Sequence, residues 1–485
     1  MASPLAGVVR LAAASRALLL ALSLLSRLLF RPYDTSASLH PPCLLPSPSP
    51  NSTTTAANSI ASLAVWDGVK FLRAAECGYE YEQSFAFLTL LQASLNFIAG
   101  SVLAPLVPVL GYRAVLVVSG YVLNNVAFVA AAAYFYRLSV LILKSPSAAY
   151  RASVLFCFNP ASVFYSSLYS ESLYALFSLG GVFYVFTGAI IAMIMLALSG
   201  SARSNGALNA GYFCFQALLH AYDAAFQKKQ PMLAVQVLVT GFLRSVFVFI
   251  PFFAFQAYGY LNICLHGNME ELRPWCKSKV PLLYGFIQSH YWGVGFLRYF
   301  QVKQLPNFLL ASPVLSLAVY SIVHYTKMLR QLFESNSIHE LIVATVEGRS
   351  IEAYKSSDVD TVLKSKVSTN VTNKAQGNAV AKRRKSVATE TDSNDQIIEV
   401  NKDVCPIVVL PFILHLAFMT FTAFFVMHVQ VSTRFLSASP PIYWAASHIL
   451  VSPSSSKRWG NIICAYFIAY ILLGSLLFSN FYPFT

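Results

Sequence analysis

The sequence predicts an all-α polytopic membrane protein, a bundle of roughly ten to twelve transmembrane helices. Three observations lead to this class. Hydrophobic residues make up 56% of the 485 residues, and charged residues only 11%, where a soluble domain carries roughly 25%. The charges are concentrated, because Lys327 to Asp403 alone holds 12 basic and 11 acidic residues. Long uncharged runs recur elsewhere, and a backbone in lipid must satisfy its own hydrogen bonds, so each run is expected to be helical.

The uncharged run at 172–202 is longer than a single upright membrane span needs. Its 31 residues would give a helix of about 46 Å, too long for one upright span. It must tilt or break near Gly180-Gly181 or Gly188. The other candidate spans are 11–30, 84–110, 113–136, 152–169, 207–226, 232–260, 306–326, 405–427 and 461–483.

The first apolar run, Leu11 to Phe30, contains Arg16 and Arg27. A signal peptide is one interpretation, but no cleavage site of small residues is obvious. Arg16, Ser23 and Arg27 fall on one helical face. The run is therefore interpreted as an uncleaved anchor whose polar face turns toward the bundle or snorkels to the membrane surface.

Composition divides the chain into three parts. Residues 1–326 form an N-terminal transmembrane bundle with polar loops at 31–83 and 262–304. Residues 327–404 lack apolar periodicity and predict a disordered loop, and 405–485 are C-terminal transmembrane helices with a loop at 428–458. The net charge of +14 fits basic residues beside anionic headgroups, so nucleic acid is a poor explanation of it.

The basic cluster Lys382 to Lys385 favours a cytosolic position for 327–404. Alternation then predicts that 262–304 and 428–458 are non-cytosolic and that the C-terminus returns to the cytosol. The sequon at Asn51 agrees with a luminal 31–83, although another sequon, at Asn370, lies in the loop assigned to the cytosol. The loops 31–83, 262–304 and 428–458 are expected to share one compartment.

Carboxylates are scarce outside 327–404, and they gather in the first loop. Asp67, Glu80 and Glu82 lie there among aromatic residues, with Trp66 directly before Asp67. A carboxylate beside aromatic rings at a membrane boundary suits a general base that activates a sugar hydroxyl. A solvated juxtamembrane helix with aromatic belt residues is the alternative, and spacing alone favours it.

No sequence pattern indicates a metal site or a nucleotide-binding loop. The eight cysteines form no C-x-x-C pair, so we expect no metal and no cofactor. Cys264 and Cys276 lie twelve residues apart in one loop that is expected to be luminal. A disulfide between them is therefore plausible.

Several longer motifs follow one another along the chain. They are Trp66-Asp67, Tyr81-Glu82, Asn159 to Phe164, Tyr169-Ser170-Glu171, Arg203 to Gly206, Pro274 to Cys276, Ile287 to Leu310, His428 to Leu436 and Pro441 to Trp444. Together they resemble the GT-C glycosyltransferases, and within them the mannosyltransferases that add the second mannose of the glycosylphosphatidylinositol (GPI) anchor. The resemblance runs in order from about residue 8 to Thr485.

The resemblance implies a multi-pass enzyme of the endoplasmic reticulum membrane. It would transfer mannose from dolichyl-phosphate-mannose, with inversion, to form an α-1,6 link on a lipid-linked GPI precursor at the luminal face. Asp67 would be the general base, with Glu80 and Glu82 in reserve. A small membrane partner subunit is possible.

The resemblance also implies substrate-binding residues. Arg203, Arg298, Lys303 and Arg434 are candidates for the departing phosphate, although Arg298 and Arg434 could equally snorkel toward headgroups. His428 could orient a substrate or cap a span. The full set is Trp66, Arg203, Asn205, Gln288, Tyr291, Trp292, Arg298, Gln304, Asn307, His428, Gln430 and Arg434.

Two other functions remain open from the sequence. A transporter or lipid scramblase would also have many helices, but buried charges within spans and inverted repeats would be expected of it. A non-catalytic partner subunit of a mannosyltransferase complex is the second alternative. Loss of the carboxylates of the first loop would favour that interpretation, and this sequence keeps them.

Overall fold

The structure is a computed structural model that describes residues 3–33, 43, 55–265, 273–335, 340–343, 345–346, 406–452 and 457–484. The described part is helical and contains no strand. The sequons at Asn51 and Asn370, the basic cluster at 382–385 and most of 327–404 lie outside the described residues.

Eighteen helices are described, and short 3-10 or π turns connect several of them. In chain order they are α1 (Pro4–Leu29), α2 (Thr55–Ala61), α3 (Asp67–Cys77), α4 (Leu90–Gly100), α5 (Val107–Leu110), α6 (Tyr112–Leu143), α7 (Pro146–Cys157), α8 (Ser162–Ser166), α9 (Glu171–Thr187), α10 (Ile191–Ala202), α11 (Ala210–Tyr222), α12 (Pro231–Tyr260), α13 (Leu283–His290), α14 (Leu305–Ser335), α15 (Leu410–Phe425), α16 (Ser432–Leu436), α17 (Pro440–Val451) and α18 (Lys457–Leu477).

Six helical segments of the described chain are long and apolar enough to cross a membrane. A seventh candidate is the pair α4 and α5, which is bent by 71° at a short break. The all-helical membrane class is therefore confirmed. The six segments are Pro4–Leu29, Tyr112–Leu143, Pro231–Leu265, Val302–Glu334, Ile407–Phe425 and Lys457–Asn480.

The long uncharged run breaks where the sequence allowed it to. Helix α9 ends at Thr187, Gly188 follows with φ +78°, and α10 begins at Ile191. Glycine adopts this left-handed conformation without steric cost. By contrast, the candidate span at 152–169 is not one helix, because α7 ends at Cys157 and only the single-turn helix α8 follows Asn159-Pro160.

The polar face of α1 turns into the bundle, as its spacing predicts. Arg16 is 2% exposed and donates to the carbonyls of Ser162 and Cys157 at 2.9 and 3.1 Å and to the Ser166 hydroxyl at 3.0 Å. Arg27 donates to the carbonyl of Ser479 at 3.0 Å. Inside lipid such donors need protein partners, so α1 is an integral part of the bundle.

The C-terminal segment lies at the same end of the bundle as the first predicted loop, so the opposite sides predicted for the C-terminus and for loop 31–83 are incompatible. The Tyr33 N–H donates to the carbonyl of Asn480 at 2.8 Å, and the rings of Trp66 and Phe481 lie 6.0 Å apart. The cause is α17, which the sequence analysis placed in the loop 428–458. Its first eight residues are buried, so a further helix lies between α15 and α18 that the predicted alternation did not count.

The boundary predicted at 326/327 also differs from the structure. Helix α14 continues to Ser335, although its last turns carry Lys327, Arg330 and Glu334. The Arg330 Nε lies 2.8 Å from Glu334 one helical turn later, and such pairs stabilise an exposed helix end. The span is therefore extended by a polar helical end.

Candidate functional site

A cavity of about 550 Å³ lies at the end of the bundle where α3, α13, α16 and the C-terminal segment meet. It brings together residues of all three predicted loops, which supports their common position. Nine of the predicted site residues line it: Trp66, Asp67, Arg203, Gln288, Trp292, Asn307, His428, Gln430 and Arg434.

Asp67 is held at the start of α3 by an unusual backbone. Trp66 precedes it with φ 52°, a conformation that costs of order 1–3 kcal/mol for a residue with a side chain. The Asp67 N–H donates to the Tyr169 oxygen at 3.0 Å, and a Cβ at Gly68 would lie 3.3 Å from the Leu168 carbonyl. This close approach fixes the Asp67 carboxylate at the cavity wall.

The Asp67 carboxylate is only partly engaged by protein. Arg434 Nη1 and Nη2 approach its Oδ2 at 3.3 and 3.4 Å. Among the described residues no donor reaches Oδ1, and the side chain is 33% exposed. One oxygen is thus oriented by a cation, while the other is open to a ligand.

Arg434 is fixed in turn by aromatic and acidic neighbours. Its guanidinium lies 5.4 Å from the ring centre of Phe164 and 5.6 Å from that of Tyr169, within the range of a cation–π contact. Burial alone would lower the pKa of Arg434, but Asp67 and Glu171 raise it above its ordinary value. The side chain therefore stays cationic beside Asp67.

A second ion pair in the wall includes a residue that the sequence analysis did not assign to the site. Glu171, the first residue of α9, pairs with Arg203 Nη1, and both line the cavity. Glu171 lay within a quoted motif and is one of the few carboxylates outside 327–404. Because carboxylates are so scarce in this part of the sequence, Glu171 could have been predicted as a site residue on that ground.

The wall opposite α3 is a network of amides and rings. His428 Nε2 lies 2.6 Å from the Trp292 carbonyl, so this histidine positions the predicted substrate-binding tryptophan. Tyr299 donates to Gln430 Oε1 at 2.9 Å, and Asn307 donates to the Tyr299 oxygen at 2.8 Å. These contacts hold the segment after α13 against the turn that precedes α16.

Glu80 and Glu82 do not reach the cavity lining. Arg73 Nη2 lies 2.7 Å from Glu80 Oε2. Glu82 accepts a hydrogen bond on each oxygen, from Trp275 Nε1 and from the Tyr291 hydroxyl, both at 2.6 Å. The Tyr291 pKa is raised, chiefly by this hydrogen bond, so the phenol remains protonated as the donor. The structure gives these carboxylates structural partners.

Other predicted binding residues also lie outside the cavity lining. Tyr291 binds Glu82, and Gln304 accepts a hydrogen bond from Asn307 at 2.8 Å. Asn205 is buried in the turn after Arg203, and Arg298 is exposed. Proximity in the sequence to a residue that lines the cavity therefore does not place a side chain in the cavity wall.

Two disulfides brace the region around α3 and α13. Cys264 is bonded to Cys276, as the spacing suggested, and Cys43 is bonded to Cys77, which the sequence analysis missed. The Cys43–Cys77 bond fastens the end of α3 to the preceding loop. It joins residues 34 positions apart, a separation from which no pairing could be deduced.

Lys70 is a cation beside the cavity, although it is not part of the lining, and it was not predicted from the sequence. It lies one helical turn after Asp67, so both share a face of α3. Its ammonium nitrogen lies 5.7 Å from the Phe87 ring centre and 5.5 Å from that of Trp292, and both rings line the cavity. No carboxylate of the described chain pairs with it. Unlike Arg203 and Arg434, it is free to balance a ligand's charge.

The fold and the cavity together define a membrane-embedded protein with a charged site at one end of its helices. The family model described as "Mannosyltransferase (PIG-V)" matches residues 5–485. The chain therefore belongs to this mannosyltransferase family, and it is a glycosyltransferase.

Similar proteins agree over most of the chain. It is 28% identical to a human protein named GPI alpha-1,6-mannosyltransferase 2, over 88% of each chain. It is 29% identical to the mouse protein of that name, over 99% of this chain and 98% of the other. It is 27% identical to GPI mannosyltransferase 2 of Drosophila melanogaster, over 88% of each. No solved structure matches.

Proposed function

We propose that the protein transfers mannose from dolichyl-phosphate-mannose to a GPI precursor and forms the α-1,6 link of its second mannose. The names of the relatives support this reaction. The observation that carries it is Asp67, whose carboxylate faces the cavity with one oxygen free and the other held by Arg434.

The geometry supports direct displacement in one step. The acceptor hydroxyl gives its proton to Asp67 Oδ1 while its oxygen bonds to the anomeric carbon of the donor mannose. The bond from that carbon to the phosphate oxygen breaks, its electron pair leaves with dolichyl phosphate, and the anomeric configuration inverts. A positioned base contributes typically 10²–10⁴-fold to such a step.

Positive charge for the departing phosphate is available from the chain itself. Arg434 lies beside Asp67, and Lys70 lies one turn along α3. Cations placed where charge develops stabilise a transition state strongly. We therefore propose that transfer needs neither a metal nor a cofactor, and activity should persist in a chelator.

The apolar surfaces suit substrates with lipid tails. Trp66, Phe478, Pro483 and Phe484 line the cavity beside helices that can cross a membrane. A tail can stay in lipid while its headgroup enters the cavity. We propose that the shorter helices α9, α10 and α11 raise the number of membrane passes to about ten, within the range expected from apolar run lengths.

We further propose that the cavity opens to the lumen of the endoplasmic reticulum. The Tyr33–Asn480 hydrogen bond then requires the C-terminus to be luminal as well. Glycosylation sites engineered in 31–83, in 262–304 and after Thr485 should all be modified, and one near Lys382 should not. Modification near Lys382, or none after Thr485, would contradict this orientation.

A small membrane partner subunit also belongs to the proposal. Helix α12 offers a surface for it, because only seven of its 30 residues are buried. Co-purification from mild detergent that depends on the outward side chains of α12 would support such a partner.

The function is tested by rescue of cells that lack the second GPI mannosylation step. Expression of this chain should restore GPI-anchored proteins at the surface and remove the accumulated glycolipid with one mannose. Failure by a chain that is well expressed and inserted in the membrane would contradict the proposal.

A further inference from the structure

The Glu171 carboxylate is only half satisfied by the protein. Its residue is 2% exposed, and Oε1 pairs with Arg203 Nη1. Oε2 is buried and has no hydrogen-bond partner within the described chain. The residue also belongs to the wall of the cavity that Asp67 lines.

An unmade hydrogen bond on a buried carboxylate is costly, because water has been removed without a replacement. Glu76 and Glu82 show what structural carboxylates in this protein do. Glu76 pairs with Arg113, and Glu82 accepts on both oxygens. Neither has a buried oxygen without a partner. Of the described residues that have a buried polar atom without a hydrogen-bond partner, Glu171 is the one that lines the cavity, so a ligand bound there can supply the partner.

The Glu171 carboxylate has positive charge on two sides. It begins α9, where the positive end of the helix dipole favours an anion, and Arg203 contacts its other oxygen. An ionised carboxylate can only accept hydrogen bonds. Its missing partner must therefore be a donor, such as a hydroxyl group.

The neighbouring wall has the neutral polar groups that a sugar needs. The Ser204 hydroxyl and the Tyr284 hydroxyl lie 2.8 Å apart, and both line the cavity with Gln288 and Ser170. These side chains lie beside Arg203 rather than beside the aromatic C-terminal segment. This end of the cavity suits hydroxyl groups more than a lipid tail.

We propose that Glu171 Oε2 accepts a hydrogen bond from one hydroxyl of a sugar bound in the cavity. Glu171 is then a specificity-determining residue, and Arg203 is a positioning residue that fixes its carboxylate. This inference rests on the proposed mannosyl transfer and names the contact by which the same site recognises its sugar. The hydroxyl can belong to the donor mannose or to the acceptor glycan, and the test separates the two.

The test uses substrates that each lack one hydroxyl. Membranes with the full chain are assayed with a series of monodeoxy donors and, separately, with a series of monodeoxy acceptors. A hydrogen bond to a charged group is worth roughly 10- to 100-fold. The wild type should therefore lose about that much kcat/KM with one analogue, and the series that contains it identifies the donor or the acceptor.

Glu171→Gln should show the same loss with the complete substrate and little further loss, within about threefold, with that one analogue. Glu76→Gln is the matched control, since it also uncouples a glutamate from an arginine but lies outside the cavity. It should keep the full discrimination of the wild type.

Unchanged discrimination in Glu171→Gln would overturn the inference. Equal transfer by the wild type with every analogue would also overturn the inference. This outcome can be measured even if Glu171→Gln does not fold. A wild type that transfers no mannose from the complete donor would instead refute the proposed function. The two failures are therefore distinguishable.

Discussion

Asp67 and Glu82 lie fifteen positions apart in the sequence, and the fold gives them opposite environments. The Asp67 side chain is 33% exposed in the cavity, and its contacts with Arg434 are 3.3 and 3.4 Å long. The Glu82 side chain is 6% exposed, and both its oxygens accept hydrogen bonds of 2.6 Å. One carboxylate is open to a ligand, and the other is saturated by protein.

The two environments show how a carboxylate that can act on a substrate differs from one that only supports the fold. A base must reach substrate, so it needs a free oxygen and an accessible face. A structural carboxylate needs all its lone pairs satisfied, because it is buried. Sequence proximity to aromatic residues does not distinguish the two, since Trp66 precedes Asp67 and Tyr81 precedes Glu82.

The largest expected effect is at Asp67. Asp67→Asn keeps the size of the side chain but removes the base, so mannose transfer in membranes should fall by at least about 100-fold. Expression and thermal unfolding should stay near wild type, because the Tyr169 contact uses the backbone N–H. Full turnover by this variant would remove the catalytic assignment.

A smaller loss is expected at Arg434, which contacts Asp67 and which we propose to balance the charge of the departing phosphate. Arg434→Gln should lower kcat by roughly 10- to 100-fold, the range for a lost hydrogen bond to a charged group. Arg434→Lys should recover only part of it, because lysine lacks the planar fork that reaches Asp67 and the two rings. Recovery of full activity with lysine would show that charge alone is needed.

Replacement of Lys70 changes the charge near Asp67 and leaves the ion pair between Asp67 and Arg434 intact. Lys70→Gln should raise KM for dolichyl-phosphate-mannose about three- to tenfold, as expected for an exposed charge that contacts phosphate. Lys279→Gln is the control, because Lys279 is also an exposed lysine of the predicted luminal loops, whereas Lys70 lies over the cavity-lining rings of Phe87 and Trp292. Equal KM values for the two variants would exclude a phosphate contact at Lys70.

The smallest effect on turnover is expected at Glu82. Glu82→Gln should leave transfer per folded molecule within about threefold of wild type. It should lower the free energy of unfolding by about 1–3 kcal/mol, since the buried donors of Trp275 and Tyr291 would lose their charged partner. Thermal unfolding in detergent measures this. A stable variant with strongly reduced turnover would reverse the roles assigned to the two carboxylates.

Much of the fold could be predicted from the sequence, because lipid imposes strong rules on uncharged runs. The length of the run at 172–202 predicted a tilt or a break, and the structure has the break at Gly188, one of the predicted places. The spacing of Arg16 and Arg27 predicted a polar face on α1 that either turns inward or snorkels, and it turns inward. Helix α17 was missed since its twelve residues are too short for the span rule. That miss made the sides predicted for loop 31–83 and for the C-terminus incompatible with each other.

The site was only partly predictable for a different reason. Motif neighbours Arg203 and Asn205 separate in space, as do Trp292 and Tyr291, because a helical turn points adjacent side chains in different directions. Glu171 and Lys70 reach the site through packing between distant segments. The bond between Cys43 and Cys77 likewise depends on where α3 ends in space.

Carboxyl labelling measures directly whether Asp67 is open to a ligand while Glu82 is saturated by protein. Membranes with the full chain are treated with a water-soluble carbodiimide and an amine, with and without dolichyl-phosphate-mannose, and the modified residues are mapped by mass spectrometry. Asp67 should be modified far faster than Glu82, and the donor should slow modification of Asp67. Equal modification of the two residues, or an Asp67 rate that the donor leaves unchanged, would contradict the account.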